Sequence, residues 1–224
     1  MIDSAYKPGV TIAGMDTFPK WAFLEGATFQ GPSNFGQVSL PSNPVSGKEA
    51  LEYSVGDQTV KFILTRDQGY DPLKFDPSQW KQRIATVAAI MDVTNVSLEK
   101  FRAKGGKIIM THGSADDLIT PYNSIEYYER QLAHFGQERL DRFLRFYLIP
   151  GFGHGIGVFN ARFDSLSALE NWVEKGQPPS GLTAMDANAN ANRKRPLCEY
   201  PKWPKFTGAT GSENSAASFT CVAD

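Results

Sequence analysis

Lys107-Ile108-Ile109-Met110-Thr111-His112-Gly113 and Phe143-Leu144-Arg145-Phe146-Tyr147-Leu148-Ile149 are the two stretches on which the fold turns. Each is a short, mostly apolar run halted by a turn signal, Gly113 in the first case and Pro150-Gly151 in the second. Runs of this length, bounded by Gly and Pro, are expected of strands buried in a sheet. Between them, from Asn123 onward, Ile125, Tyr128, Leu132 and Phe135 recur at helical spacing, which predicts an amphipathic helix of about three turns. Residues 163–175 repeat the device after the second run, with Leu166, Leu169, Trp172 and Val173 on one side and Gly176 just past the end. Upstream, Ser97-Leu98-Glu99-Lys100-Phe101-Arg102-Ala103-Lys104 predicts a short N-capped helix stopped by Gly105-Gly106. Strand, helix, strand, helix in that order predicts a parallel sheet with crossover helices.

The flanks read differently. Gly and Pro punctuate residues 1 to about 80, where Thr59-Val60-Lys61-Phe62-Ile63-Leu64 is the best candidate element, as a strand or a buried helical turn. Helical signals resume at Asp76-Pro77-Ser78, ahead of Trp80 and the run 84–91. A mostly irregular, aromatic-rich segment of this kind is expected of a lid or insertion. Beyond residue 180, the alternating Ala-Asn run 187–192 predicts a solvated connector. Cys198 and Cys221 both fall in the last 27 residues, with no histidine nearby to complete a zinc site, so they are expected to be paired as a staple. Such a bridge implies an oxidising compartment. Met1 to Lys7 nevertheless lacks the basic and apolar regions of an export signal.

Composition removes several function classes. The 224 residues, 41% hydrophobic and 21% charged with 15 Phe, suffice to bury a core. Lys and Arg number 23 against 24 Asp and Glu, a formal charge of −1, which gives a phosphate-tracking nucleic-acid binder no footing. No apolar run approaches the roughly 20 residues of a bilayer-spanning helix.

Chemistry gathers where parallel strands end. Gly113-Ser114-Ala115-Asp116-Asp117 follows the first strand, and Pro150-Gly151-Phe152-Gly153-His154-Gly155 follows the second. A carboxylate after one strand and a histidine after its neighbour share one rim, the order in which a Ser-His-Asp hydrolase places its acid and base. Taken alone, Asp116 also fits a turn-initiating cap, and His154 a loop imidazole bonded to backbone carbonyls. His112, at the strand end, is expected to pack behind the site rather than react, and His134 to be solvated.

Several collinear motifs now carry a resemblance. Gly105-Gly106-Lys107-Ile108-Ile109, His112-Gly113-x-Ala115-Asp116, Ile119-x-Pro121 and Tyr127-Tyr128 resemble the tannase and feruloyl esterase family of α/β-hydrolases. So do Pro150-Gly151-x-Gly153-His154, Phe163-Asp164-x-Leu166, Trp172-Val173-Glu174-x-Gly176, Arg195-Pro196-Leu197-Cys198-x-Tyr200-Pro201 and Ala217-Ser218-Phe219-x-Cys221. The likeness is strong from about residue 88 to 222 and loose before it.

The resemblance implies an α/β fold, the C-terminal part of an α/β-hydrolase fold, with a mostly irregular lid remnant. It divides the chain into a lid-like segment 1–87, hydrolase residues 88–179 and a stapled extension 180–224. It implies Asp116, in preference to Asp117, as triad acid and His154 as triad base, with phenolic esters as substrates and no cofactor. Many relatives carry a Cys after that His, bridged to another beside the serine; here the position is Gly155. The family's Gly-x-Ser elbow has no counterpart: Gly31-Pro32-Ser33-Asn34-Phe35-Gly36 has the wrong spacing and a Pro in the turn, and Ser114 lies on the acid loop.

The chain is therefore expected to be the C-terminal part of a longer secreted or periplasmic esterase, with its signal upstream. Its partner would be a missing N-terminal half carrying the nucleophile, and an exposed sheet edge invites self-association. The alternatives are a non-catalytic fragment or degenerate homologue that binds a ligand or partner chain, and a peptidase or lipase using the same acid and base. Phe18, Trp21, Phe23, Phe29 and Phe35 are expected either to line a phenolic pocket or to pack as a small core. Asp67, Asp71 and Asp76 lack the oxygen-ligand density of a calcium loop, and no metal is expected.

Overall fold

The computed structural model describes residues 40–93 and 96–223. The described residues divide into two compact units, 40–93 and 96–223, and each is described by itself. The lid aromatics Phe18 to Phe35 and the Gly31–Gly36 turn lie outside the described residues.

Helix α1 (Leu51–Gln58) opens the first unit and runs on as a π-helical turn over Thr59–Leu64, closed by the Thr65 amide on the Val60 carbonyl at 2.8 Å. Short 3-10 turns at Pro72–Lys74 and Pro77–Trp80 follow, capped by Asp71 and Asp76, and lead into α2 (Lys81–Met91). The described part of the expected lid is thus mainly helical, which corrects the reading of that segment as mostly irregular. The misreading has a physical source: Gly56 and the β-branched Thr59, Val60 and Ile63 argue against helix. They are overridden by the ion pair between Asp57 and Lys61, one turn apart at 2.7 Å and both buried, and by Arg83, which donates to the Ile63 carbonyl at 2.6 Å. The unit boundary also differs from the expected break after residue 87, which would cut α2 in two.

In the second unit, α3 (Glu99–Ala103) leads through Gly105 into β1 (Ile108–Gly113). The start of α3 falls at Leu98, which supplies no side-chain cap. The chain crosses over through α4 (Pro121–Phe135) and the short α5 (Gln137–Leu140) to β2 (Leu144–Ile149). The two strands pair in parallel, Ile108 opposite Leu144 and Gly113 opposite Ile149, as the strand-helix-strand pattern predicts. Helix α4 begins where Thr120 accepts the Tyr122 amide and Pro121 takes the first position, and it stops at Gly136, whose φ of 71° suits glycine. Strand β2 is buried on both faces. Leu144 and Phe146 join Tyr128, Phe135, Leu140 and Phe143 beneath α4. Tyr147 and Ile149 join Phe159, Ala161, Ala184 and Leu197 on the other side. This two-sided burial is what a strand in a helix-covered parallel sheet requires. Strand β1 is only half-buried and, among the described residues, has a strand on one edge alone.

The segment after 180 is not a separate extension. Strands β3 (Ala161–Arg162), β4 (Thr183–Asp186) and β5 (Lys194–Pro196) form an antiparallel sheet with α6 (Ser165–Lys175) between its first two strands. A hairpin of β6 (Trp203–Phe206) and β7 (Phe219–Val222) completes the unit. Glu199 bridges to Tyr147 on β2, the Tyr200 amide donates to the Phe146 carbonyl at 2.8 Å, and the Tyr200 ring packs edge-on against Tyr128. The tail therefore closes the core rather than capping it from outside. Cys198 and Cys221 are disulfide-bonded across a sequence separation of 23. A closed loop of that size contributes about 3 kcal/mol in the chain-entropy picture.

Candidate active site

Two loops meet where β1 and β2 end. After β1, the Ser114 amide still donates to Ile149 at 2.9 Å, and the Ala115 amide donates to Phe152 of the facing loop at 3.0 Å. The approach is so close that a Cβ on Gly113 would lie 2.1 Å from the Phe152 carbonyl oxygen, so only glycine fits there. The second loop, residues 150–159, closes on itself. The Gly153 amide donates to Ile156 at 2.7 Å, the Phe159 amide donates to Gly151 at 3.0 Å, and Phe152 bridges to Gly157. A Cβ on Gly157 would lie 2.5 Å from the Gly151 carbonyl oxygen. The result is a tight ring of backbone with His154 at its tip.

The structure brings Asp116 and His154 together. His154 Nδ1 lies 3.1 Å from Asp116 Oδ2. Asp116 is 5% exposed, and its other oxygen, Oδ1, accepts the Leu118 and Ile119 amides at 2.9 and 2.8 Å. Burial alone would push this carboxyl up; hydrogen bonds from His112, the two amides and His154 outweigh it and hold the pKa at about 2. An ionised carboxylate only accepts, so the proton of a neutral His154 sits on Nδ1 and leaves the Nε2 lone pair free. The His154 side chain is 51% exposed, and among the described residues its Nε2 has no hydrogen-bond partner. The arrangement orients the His154 ring and leaves its other nitrogen exposed.

Asp116, rather than its neighbour Asp117, accepts from His154. His112 is packed directly behind the pair, its Nε2 3.3 Å from Asp116 Oδ2, while exposed His134 stands edge-on to Phe135 on α4. Gly155 has a φ of 81°, a backbone state that suits glycine and would strain a cysteine. Asp67, Asp71 and Asp76 spend oxygens on the amides of Gly69, Leu73 and Ser78, and no cluster of metal-ligating side chains occurs among the described residues.

Reading along the sequence missed a brace on the histidine loop. Asn188, within the expected connector, donates to the Gly157 carbonyl at 2.9 Å. Arg193 donates to Val158 and at 2.8 Å to buried Asp186, whose Oδ1 also accepts the Asn160 and Asn188 amides. The polar Asp186-x-Asn188 pair amid small residues is the one sequence signal that could have revealed it.

An uncharacterised esterase of Agrobacterium fabrum is 36% identical over 216 residues, spanning 94% of this chain and 38% of that protein. A probable feruloyl esterase of Arthroderma benhamiae is 35% identical over 212 residues, 89% of this chain and 38% of that one. Among solved structures, feruloyl esterase B from Aspergillus oryzae superposes with a TM-score of 0.67 at 21% identity, covering 99% of this chain and 44% of its own. The fold is shared at that distance, and the chain spans about two fifths of the length of these relatives. The family profile described as tannase and feruloyl esterase matches residues 2–222, well upstream of the stretch 88–222 that carries the clearest motifs, and on that match the chain belongs to the tannase and feruloyl esterase family.

Proposed function

We propose that this chain supplies the acid and base of a carboxylic ester hydrolase, Asp116 and His154, in the C-terminal part of an α/β-hydrolase fold. The observation that carries the reading is the open His154 Nε2, opposite an Nδ1 anchored on a buried carboxylate at the ends of two parallel strands. His154 Nε2 takes the proton of an attacking serine hydroxyl and later returns it to the leaving alcohol. Asp116 holds the Nδ1–H tautomer and stabilises the imidazolium that forms. The acyl group passes through a serine ester to water.

In this reading the serine and the oxyanion donors come from residues outside this chain, against the edge of β1 that no strand among the described residues occupies. Failing that partner, the same edge is where two copies would associate. Substrates are esters of aromatic, phenolic acids, a class suggested by the name of the Arthroderma relative. The Cys198–Cys221 bridge supports a secreted or periplasmic setting.

Two preparations test the proposal: the chain alone, and the chain fused behind the preceding part of the Agrobacterium esterase. Each is treated with a fluorophosphonate probe, weighed intact, and assayed on methyl ferulate, methyl gallate and aliphatic p-nitrophenyl esters. The expected result is no adduct on the chain alone and, on the fusion, one adduct and aryl-ester turnover that His154→Ala abolishes. An adduct on the chain alone would place the nucleophile within it. A fusion that labels and turns over equally well without His154 would end the acid–base assignment.

A further inference from the structure

His112 is an ionisable group at the site that the proposed mechanism does not use, and both of its ring nitrogens are engaged. Nε2 lies 3.0 Å from the Ile119 carbonyl oxygen and 3.3 Å from Asp116 Oδ2, and Nδ1 lies 2.7 Å from the Ser124 hydroxyl. The side chain is 12% exposed. A carbonyl and an ionised carboxylate both only accept, so Nε2 carries the proton, which hydrogen-bonds the Ile119 carbonyl and faces the carboxylate at 3.3 Å. Nδ1 of the neutral ring is then the acceptor, and Ser124 is its donor. Ser124 stands in the first turn of α4, whose start is fixed by the Thr120 cap and Pro121.

The bonds form a closed frame around the carboxylate. The Ile119 amide donates to Asp116 Oδ1 at 2.8 Å while the Ile119 carbonyl receives His112. Oδ2 is approached by two imidazoles, His112 from behind and His154 from the open side. The half-exposed ring needs the carboxylate to find its orientation, and the packed one supplies a second fixed direction to that carboxylate.

We propose that His112 is a positioning residue, holding the Asp116 carboxylate so that Oδ2 is aimed at His154 Nδ1, and that the Ser124 hydroxyl keeps His112 in the Nε2–H tautomer this requires. The proposal rests on the reading of Asp116 and His154 as an acid–base pair. Without the His112 donor, Oδ2 retains His154 alone, and the carboxylate is held only through Oδ1. Without the Ser124 hydroxyl, the His112 proton is free to move to Nδ1, which turns a lone pair toward the carboxylate.

The three histidines of the chain make the test direct. Long-range 15N–1H correlation spectra of the 224-residue chain at pH 8, where ordinary imidazoles are neutral, report each ring's tautomer. Assignment comes from single substitution of His112, His134 and His154. In the unsubstituted chain His154 is expected as Nδ1–H and His112 as Nε2–H. His112→Phe should turn His154 into a mixture of tautomers, whereas His112→Gln, which keeps an N–H within reach of Oδ2, should restore Nδ1–H. Ser124→Ala should leave His112 itself mixed.

A single Nδ1–H tautomer on His154 in His112→Phe would overturn the positioning role. If that variant fails to fold, an unchanged His112 ring in Ser124→Ala would overturn the frame. A His154 that is not Nδ1–H before any substitution would instead sink the acid–base pair, so the two failures are distinguishable. In the active fusion, His112→Phe should lower kcat about tenfold with KM little changed, as expected for loss of a charge-assisted hydrogen bond that acts on the transition state.

Discussion

Glu49 in the first unit and Asp116 in the second are both buried carboxylates with pKa values held at about 2, yet they do different work. Among the described residues, the donors to Glu49 are local ones, chiefly the hydroxyls of Ser42 and Ser46 and the amides of Ser46, Gly47 and Lys48. The Ser42 and Ser46 donors outweigh the cost of burial, and the carboxylate serves as the keystone of a local turn. Asp116 draws donors from Leu118 and Ile119 and from two imidazoles, one of them 38 residues away with its far nitrogen open. A depressed pKa by itself thus marks a satisfied carboxylate. What distinguishes a site is a donor whose other end remains available for chemistry.

The largest effect that would break this contrast is on rate. In the active fusion, Asp116→Asn should reduce ester turnover on the order of ten-thousandfold, because an amide can donate to Nδ1 and so favour the wrong tautomer of His154. Glu49→Gln should leave the rate of the folded protein unchanged, since the groups it touches among the described residues take no part in the proposed reaction. Steady-state hydrolysis of methyl ferulate by the two variants decides the matter. Equal losses would mean that the two carboxylates are both structural.

A smaller effect should appear in acid. Each carboxylate has a folded pKa below its unfolded one, so its contribution is present above about pH 4 and is lost as pH falls towards about 2. For buried Asp116 the loss amounts to about 2 kcal/mol. Amide exchange followed from pH 4 to pH 2 should therefore show protection around β1 and β2 weakening less steeply in Asp116→Asn than in the parent chain. Glu49→Gln should flatten the acid response of amides near α1. An Asp116→Asn profile that merely parallels the parent would place the acid sensitivity elsewhere.

The same contrast explains what the sequence disclosed. The strands β1 and β2 were legible because each is an apolar run stopped by Gly or Pro, and the crossover helix because its apolar residues keep helical spacing. Asp116 and His154 drew notice from their places just beyond those strand ends, and the family resemblance singled them out over a turn cap and a loop imidazole. Strands β4 and β5 were not legible, since Thr183–Asp186 and Lys194–Pro196 are short and gain their regularity from pairing with each other and with the two-residue β3. The continuation of α1 through Thr59–Leu64 was obscured by the β-branched Thr59, Val60 and Ile63, although Asp57 and Lys61 at helical spacing were a signal that could have been weighed. Ser124 was illegible for another reason. Its link to His112 exists only once α4 has docked against the end of β1.

The smallest effect concerns a polar atom that takes part in neither kind of arrangement. Tyr147 on β2 is 2% exposed, and its hydroxyl has no hydrogen-bond partner among the described residues. Burial pushes its phenol up, with Glu199 adding to the shift and Arg145 opposing it. A buried hydroxyl without a partner forfeits its hydration and recovers nothing, at a cost of roughly 1–3 kcal/mol. Phenylalanine keeps the ring that packs among Ile149, Phe159 and Leu197 and removes only that oxygen. Tyr147→Phe should therefore raise stability by about 1 kcal/mol, seen as a higher urea midpoint with an unchanged slope. A lower midpoint would mean that the hydroxyl is satisfied in solution, by water or by residues beyond those described, and that this face of β2 is a polar junction rather than a sealed core.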